Sequence, residues 1–380
     1  MVRIKEFFNR FEGLTQIGLG NVIPTAISGI FWLYVANLLG TEGYGEISYF
    51  IAIAGITVVF SFLGGGNTLI VYVAKGVKIQ SPIYFISLVA AIIASIVLYF
   101  LLQNFAVSLF VIGNVLFSLT YSELLGLKSF KTYRNYLILQ RILMVVFALS
   151  FYEIIGLDGI ILGMALSFFP FSFRLVSIFK KAKLEFALIK TRFNFIFNNY
   201  LLSISRTFSS STDKLIVAPL FGFAILGNYQ LGVHILGILG IVPGIVLQYT
   251  LTHDASGKSN KKLKKISIIV SIFLAVLIAW SAPFLIPQIF PEYVESVPVI
   301  QIMSFSVIPL AITNTYISKF LGAEKSKIIL IGSVIFVLVL IVSIIILGEL
   351  YSIVGIAVAF LVAQISEAIF LTLYQRLLKP

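Results

Sequence analysis

The sequence lacks cysteine entirely and has only two histidines, His234 and His253, among its 380 residues. Without thiols it has no disulfide, no thiolate nucleophile and no cysteine-based zinc or iron–sulfur site. Two histidines are too few for a histidine-rich metal site. A Walker motif is also missing, which argues against direct use of ATP. The sequence therefore predicts a protein with no metal centre and no cofactor.

Charged residues are scarce as well: they make up 11% of the chain, whereas 59% of it is hydrophobic. An ordinary soluble domain is about a quarter charged. A mean hydropathy of +1.07 indicates that the chain folds in lipid. The net charge of +12 would suggest a nucleic-acid ligand in a soluble protein. Here the basic residues lie between apolar segments, so we expect membrane lipids and no nucleic acid as partners.

Twelve apolar segments are each long enough to cross a bilayer as a helix, which takes about 20 residues. Their hydrophobicity is continuous rather than alternating, which favours helices over a β-barrel. We therefore predict an all-α, polytopic membrane protein with about twelve transmembrane helices. The segments are 17–39, 46–73, 82–102, 105–123, 134–153, 158–179, 196–220, 227–250, 266–286, 297–319, 328–347 and 351–373.

The basic residues predict the orientation of these segments. If the N-terminus is cytoplasmic, all but two of the 27 lysines and arginines lie on or near the cytoplasmic side. This is the distribution that the positive-inside rule describes. We therefore expect a multi-pass protein of the cell membrane with both termini in the cytoplasm. The outer loops contain only acidic charges: Glu42, Glu46, Glu153, Asp158, Glu292, Glu295 and Glu349.

An internal repeat links the two halves of the chain. Residues 35–48 read VANLLGTEGYGEIS and residues 217–230 read VAPLFGFAILGNYQ, with five identities at a constant offset of 182. Because each half holds six segments, both halves start on the same side of the membrane, as in transporters with parallel repeats. We predict an N-terminal six-helix lobe (1–180), a basic cytoplasmic linker (181–195) and a C-terminal six-helix lobe (196–380) around a central cavity.

Four stretches carry a resemblance to a known family. Residues 35–76 combine an LGxxxYG-like turn (LGTEGYG) with a second helix and a glycine-rich break. The others are SSSTDKLIVAPLFG (209–222), IFPEYVESVPVIQIM (289–303) and KFLGAEKSKI (319–328). In this order and spacing, the chain resembles the Wzx-type polysaccharide flippases of the multidrug/oligosaccharidyl-lipid/polysaccharide exporter superfamily. It departs from them at TLTHDASG, where the family usually has a proline.

The resemblance implies a MATE-like fold and a transport function. The expected substrate is an oligosaccharide linked to polyprenyl or dolichyl phosphate or diphosphate. The protein would move this lipid from the cytoplasmic to the outer leaflet by alternating access, for the synthesis of cell-surface polysaccharide or glycan. Enzymes that assemble the glycan are then candidate partners.

A polar stripe in the seventh segment is the main candidate for the substrate site. Its residues follow steps of three or four, apart from the last pair, and such spacing places side chains on one helix face. Charges inside a membrane helix are costly and usually face a partner or a wet cavity. We expect the stripe to bind a phosphate group and the first sugar. Its members are Asn199, Ser203, Arg206, Ser210, Asp213 and Lys214.

Several polar residues also have a structural interpretation. Lys214 can extend to the outer interface while Asp213 pairs with a neighbouring helix, and Arg206 can contact helix-end carbonyls. Arg141, in the fifth segment, is a second cationic candidate that can equally reach the cytoplasmic face. Glu367 is an isolated acid in the last segment.

Two other functions remain open. A cation-coupled multidrug or metabolite antiporter of the same superfamily is expected to carry an acidic residue in its N-terminal lobe, but residues 14–39 contain none. A membrane glycan polymerase usually needs a sizeable outer domain, whereas the longest predicted outer loop is 287–296. We therefore expect a transporter rather than an enzyme.

Overall fold

The computed structural model describes residues 2–174, 185–255, 260–323 and 325–377. Within these ranges every regular element is a helix, which confirms the predicted all-α class. A helix satisfies its own backbone hydrogen bonds, and lipid offers none in exchange. The α-helices are α1 (Val2–Phe62), α2 (Gly65–Ala74), α3 (Gln80–Leu102), α4 (Phe105–Gly126), α5 (Phe130–Ile155), α6 (Leu157–Leu166), α7 (Ala187–Lys190), α8 (Phe193–Phe221), α9 (Phe223–Leu239), α10 (Ile241–Ala255), α11 (Lys261–Ile289), α12 (Ser296–Ser304), α13 (Val307–Gly322) and α14 (Ser326–Leu377).

Seven helical stretches of the described residues are long and apolar enough to span a membrane. The pair α9 and α10, bent by 44° at their junction, makes an eighth if it counts as one span. Two of the seven, Thr15–Phe62 and Ser326–Leu377, have 48 and 52 residues. At 1.5 Å per residue each is more than twice as long as the ~30 Å hydrocarbon core. The chain is a multi-pass membrane protein, and twelve spans stay a prediction.

Both very long helices are interrupted by a residue outside the helical region. In α1 this residue is Gly40 (φ 66°, ψ −175°), and in α14 it is Ser352 (φ 50°, ψ −134°). The predicted break at Gly64 is present, because Gly64 adopts a left-handed conformation between α1 and α2. The predicted split at 348–349 lies a few residues away from the observed one. Gly348 instead allows the ring of Phe221 to pack closely against the helix.

The backbone repeats at the offset found in the sequence. Gly222, which is 182 residues after Gly40, has nearly the same torsions (φ 88°, ψ 168°). Gly45 and Gly227, also 182 apart, make reciprocal contacts. A methyl group on Gly45 would overlap the carbonyl oxygen of Phe223, and one on Gly227 would overlap that of Thr41. These two contacts are themselves related by the repeat, because residues 41 and 223 differ by 182.

A second repeated turn has a different offset. Gly156 (φ 68°, ψ −142°) separates α5 from α6, and Ser352, 196 residues later, has the same backbone conformation. Behind it, Gly159 packs against the carbonyl of Phe151, and Gly355 packs in the same way against that of Leu347. The two turns share no conspicuous sequence motif. Apart from the glycine three residues after each turn, their likeness lies in the backbone.

The contacts divide the chain into two compact units. The first contains Met1–Phe31 and Phe50–Thr207, and the second contains Trp32–Tyr49 and Phe208–Pro380. The apolar core of the first unit includes Leu69, Tyr84 and Leu119. That of the second includes Tyr229, Leu340, Ile356 and Phe360. The predicted lobes stay a prediction, and the two units differ from them in two places. Residues 32–49 belong to the second unit, and residues 196–207 belong to the first.

Candidate functional site

The predicted polar stripe lies on one uninterrupted helix, α8. Its small polar residues bond to the preceding turn: the Ser203 hydroxyl donates to the carbonyl of Asn199 at 2.8 Å, and the Asn199 amide donates to that of Phe195 at 2.9 Å. Such back-bonding satisfies a polar group without a partner from another helix. Residues up to Thr207 belong to the first unit and those from Phe208 to the second, so both units contain part of α8.

Asp213 is the centre of a buried charge cluster in the second unit. Its side chain is 3% exposed and forms an ion pair with the Lys214 ammonium at 3.1 Å. The Tyr229 hydroxyl donates to its other oxygen at 2.9 Å. Lys214 also donates to the carbonyl of Ser210 at 2.8 Å. With both carboxylate oxygens bonded, the desolvated pair meets the condition under which a buried ion pair is tolerated.

Arg206 differs from Lys214 in its surroundings. It is exposed on α8 and makes no hydrogen bond or ion pair with the described residues. An arginine in this state keeps all five guanidinium donors available for a ligand. The stripe thus has one bound cation, Lys214, and one free cation, Arg206. Ser210 contributes its backbone carbonyl, which accepts a hydrogen bond from Lys214.

The amide of Asn67, on α2, donates to the Asn199 side chain at 3.0 Å. This bond connects the start of the stripe to a neighbouring helix within the first unit. Arg141, on α5, is half-buried and contacts the sulfur of Met144 at 3.3 Å, which is a weak acceptor. Whether Arg141 and the stripe bind a ligand stays a prediction.

A second buried charge cluster escaped the sequence analysis. Glu123, at the end of α4, accepts a hydrogen bond from the Tyr84 hydroxyl at 3.3 Å and lies 3.5 Å from the Arg174 guanidinium. Glu123 is 5% exposed. The signal was present, since Glu123 is an acid at the predicted cytoplasmic end of an apolar segment, where basic residues predominate. Its partner Arg174 was counted only among the basic residues that set topology.

Four aromatic residues of the second unit form what we call the aromatic cluster: Trp32, Tyr44, His234 and Tyr293. His234 stacks on Trp32 with ring centroids 5.9 Å apart, and Tyr44 contacts both His234 and Tyr293. His234 therefore packs among aromatic rings in this cluster.

The hydroxyl of Tyr293 fixes the break in α1. It lies 2.8 Å from the carbonyl oxygens of both Ala36 and Gly40 and shares its proton between them. Burial, together with the nearby Glu292 carboxylate, raises the pKa of Tyr293 above its ordinary value. The phenol therefore remains a donor. This contact explains why residues 32–49 belong to the second unit.

Among known proteins, the similarity lies in the structure rather than the sequence. No family model matches this chain, and no curated protein sequence matches it. The lipid II flippase MurJ, in its inward closed conformation, has a TM-score of 0.75 at 16% identity, covering 93% of this chain and 87% of MurJ.

Two MATE transporters extend the comparison. An inward-facing MATE family transporter of the MOP superfamily has a TM-score of 0.69 at 13% identity, covering 96% of this chain and 97% of the transporter. The MATE transporter VcmN of Vibrio cholerae gives 0.61 at 14%, with 97% of each chain covered. The chain therefore has the predicted MATE-like fold, which MurJ also shares.

Proposed function

We propose that this protein is a flippase for a lipid-linked oligosaccharide. The substrate carries a polyprenyl or dolichyl phosphate or diphosphate and moves from the cytoplasmic to the outer leaflet of the cell membrane by alternating access. The product serves the synthesis of cell-surface polysaccharide or glycan. The observation that carries this proposal is Arg206 on α8, the helix that contains the predicted seventh segment. Arg206 is exposed and has no partner among the described residues, whereas the other cation of α8, Lys214, is paired with Asp213.

The charge balance of the stripe favours an anionic ligand. Lys214 and Asp213 cancel, which leaves the single positive charge of Arg206. If α8 crosses the membrane as predicted, an unpaired guanidinium on it is costly, and the cost falls when an anion binds. Arginine also matches the geometry of phosphate oxygens with two parallel hydrogen bonds. The fold itself is shared with a lipid II flippase, and this similarity adds support.

The remaining residues have distinct roles in this proposal. Tyr229 donates a hydrogen bond to Asp213, and Asp213 in turn pairs with the Lys214 ammonium and moderates its charge. Ser203 and the paired amides of Asn67 and Asn199 offer hydrogen bonds to sugar hydroxyls. The result is binding that is firm enough to accept a headgroup and weak enough to release it.

An antiporter of the MATE type is the second candidate. The similarity to MATE transporters supports it, as does Glu367. This carboxyl is 9% exposed and packs against Gly332 on the same long helix α14. A buried acid of this kind can bind a proton or a cation. The antiporter would act on a drug or metabolite, and Arg206 would then be dispensable.

The two candidates make different predictions for cells that lack the protein. We would measure lipid-linked glycans in each leaflet by mass spectrometry after complementation with the wild type, Arg206→Ala, Arg206→Lys or Lys78→Ala. Lys78→Ala is the control, because Lys78 is exposed and lies outside the stripe. We expect wild type and control to clear a lipid-linked oligosaccharide from the inner leaflet. Arg206→Ala should reduce clearance about tenfold or more, since a charge-assisted hydrogen bond contributes roughly 1.5–3 kcal/mol.

Arg206→Lys separates charge from geometry and should restore only part of the activity, because lysine lacks the planar fork. If no such lipid accumulates and drug or metabolite sensitivity changes instead, the flippase proposal is wrong. In that case Glu367→Gln, rather than Arg206→Ala, should abolish transport.

A further inference from the structure

A groove of about 470 Å³ runs between α13 and the second half of α14, entirely within the second unit. Ile308 and Ile312 line one wall, and Ile365 and Ile369 line the other. The apolar side chains at the rim are well exposed: Ile369 is 52% exposed. In a membrane protein such a groove faces hydrocarbon, so its occupant is a hydrocarbon chain.

Two polar side chains also line the groove, and they behave differently. The Thr372 hydroxyl donates to the carbonyl of Ala368 at 2.7 Å, so its hydrogen-bond donor is already used within the helix. Arg376, in the last turn of α14, is exposed. It is the one charged residue among the described residues that line the groove. The groove is therefore apolar along its length and cationic at one end.

The wall on α14 extends far along the helix. Its residues Leu361, Ile365, Thr372 and Arg376 follow steps that keep them on one face. From the first to the last of them the helix rises by ~22 Å. One leaflet contributes only ~15 Å of hydrocarbon. The face is therefore long enough to cross one leaflet. Arg376 follows the end of the predicted last segment (351–373) by three residues, which is the level expected for phosphate headgroups.

We propose that this groove holds the isoprenoid chain of the lipid-linked substrate and that Arg376 binds its phosphate while the chain lies between α13 and α14. This inference rests on the proposed function and identifies where the carrier lipid docks. The groove is bounded by a single face of each of two helices, which suits one chain. A polyprenyl phosphate has one chain for each phosphate, whereas a phospholipid has two.

A second groove in the chain provides an internal comparison. It encloses about 400 Å³ between α3 and α4, with Ile92, Ile96 and Ile112 among its lining residues. None of its described lining residues is a lysine or arginine. It should accept any hydrocarbon chain without preference for a phosphate. Ile96 is 53% exposed and Ile369 is 52% exposed, so the two isoleucines are a matched pair for substitution.

The test is photolabelling of the purified full-length protein in neutral phosphatidylcholine nanodiscs. The probe is a polyprenyl phosphate with a diazirine near the phosphate, and mass spectrometry locates the label. We expect label in 305–312 and 361–376. Arg376→Gln should lower labelling there about tenfold, because it removes a charge-assisted hydrogen bond. Ile369→Trp should lower it by filling the groove, whereas Ile96→Trp should leave it unchanged. Uncharged polyprenol should label the groove weakly.

Three results would overturn the proposal: equal labelling of both grooves, no effect of Arg376→Gln, or equal competition by phosphatidylglycerol, which would show ordinary annular lipid. The two proposals can be refuted separately. If the wild type clears the lipid-linked glycan in cells while Arg376→Gln and Ile369→Trp clear it equally well, the groove proposal is wrong and the flippase proposal stands. If the groove binds the probe selectively but no lipid-linked glycan accumulates without the protein, phosphate-dependent binding stands and the flippase proposal falls.

Discussion

At the scale of single residues, Tyr229 and Tyr44 are an informative pair. Both are fully buried in the second unit, but the Tyr229 hydroxyl donates to Asp213 while the Tyr44 hydroxyl has no partner among the described residues. Tyr229→Phe leaves a buried carboxylate short of a donor, so we expect a loss of about 1–3 kcal/mol in stability. Tyr44→Phe removes an unsatisfied hydroxyl and should be neutral or stabilising.

The apparent melting temperature of the detergent-solubilised protein, followed by tryptophan fluorescence, would check this pair. A fall for Tyr229→Phe with no fall for Tyr44→Phe supports the hydrogen-bond assignment. Equal falls for both would mean that packing around the rings, rather than the bond to Asp213, decides their effect.

The same cluster shows how far residue-level prediction reaches. The sequence indicated that Asp213 needs a partner inside a membrane helix. It did not single out Lys214, because adjacent positions on a helix do not face each other. The role of Tyr229 could not be predicted, because it depends on how α9 packs against α8. The pairing of Glu123 with Arg174 could not be predicted for a similar reason: they are about 50 positions apart, and only the folded chain brings them together.

At the scale of helices, Gly45 and Gly227 mark a reciprocal close approach of α1 and α9 in the second unit. We predict that Gly45→Ala and Gly227→Ala each cost about 1–3 kcal/mol, because a methyl group would overlap a backbone carbonyl that cannot move alone. Gly55 and Gly237, on the same two helices, have nothing within 4 Å of an added methyl group. Alanine there should be neutral or stabilise by up to about 1 kcal/mol.

Thermal unfolding of the four single variants measures both effects together. The contact assignment would be refuted if the two pairs of variants melted at the same temperature. The double variant Gly45→Ala/Gly227→Ala should lose less than the sum of the two single losses, since the first substitution already separates the helices.

The sequence repeat anticipated this contact only in part. The offset of 182 aligned Gly40 with Gly222 and Gly45 with Gly227, and the hydrophobic runs located the helices. Both signals can be read from short stretches of sequence. The repeat could not show that α1 and α9 contact each other at Gly45 and Gly227, because that contact depends on the tertiary structure. The second repeated turn, at Gly156 and Ser352, was missed because one copy has glycine and the other serine at the positive-φ position. Backbone conformation was retained there while residue identity was not.

At the scale of the whole molecule, the fold persists at 13–16% identity to transporters of known structure. This persistence fits a fold specified by hydrophobic segments, their lengths and their turns rather than by particular residues. It also means that the fold says little about cargo. The substrate must be argued from the few charges within the helices, and those differ between proteins with the same architecture.

The membrane orientation of the chain is open to a direct test because the protein has no cysteine of its own. We would introduce single cysteines at Lys78, Lys128, Glu153 and Glu349, which are all exposed, and label intact cells with a membrane-impermeant maleimide. The positive-inside rule predicts label at Glu153→Cys and Glu349→Cys, with Lys78→Cys and Lys128→Cys labelled only after permeabilisation.

This pattern constrains the number of spans as well as the direction. Three predicted segments separate Lys78 from Glu153, so these positions should lie on opposite sides. Six separate Glu153 from Glu349, so those should lie on the same side. Opposite labelling of Glu153→Cys and Glu349→Cys would require an odd number of crossings between them, and the prediction of twelve spans would then be wrong. Uniform reversal of all four sites would keep the count but move the groove that ends at Arg376 to the outer leaflet, where it would receive the lipid after transport instead of before it.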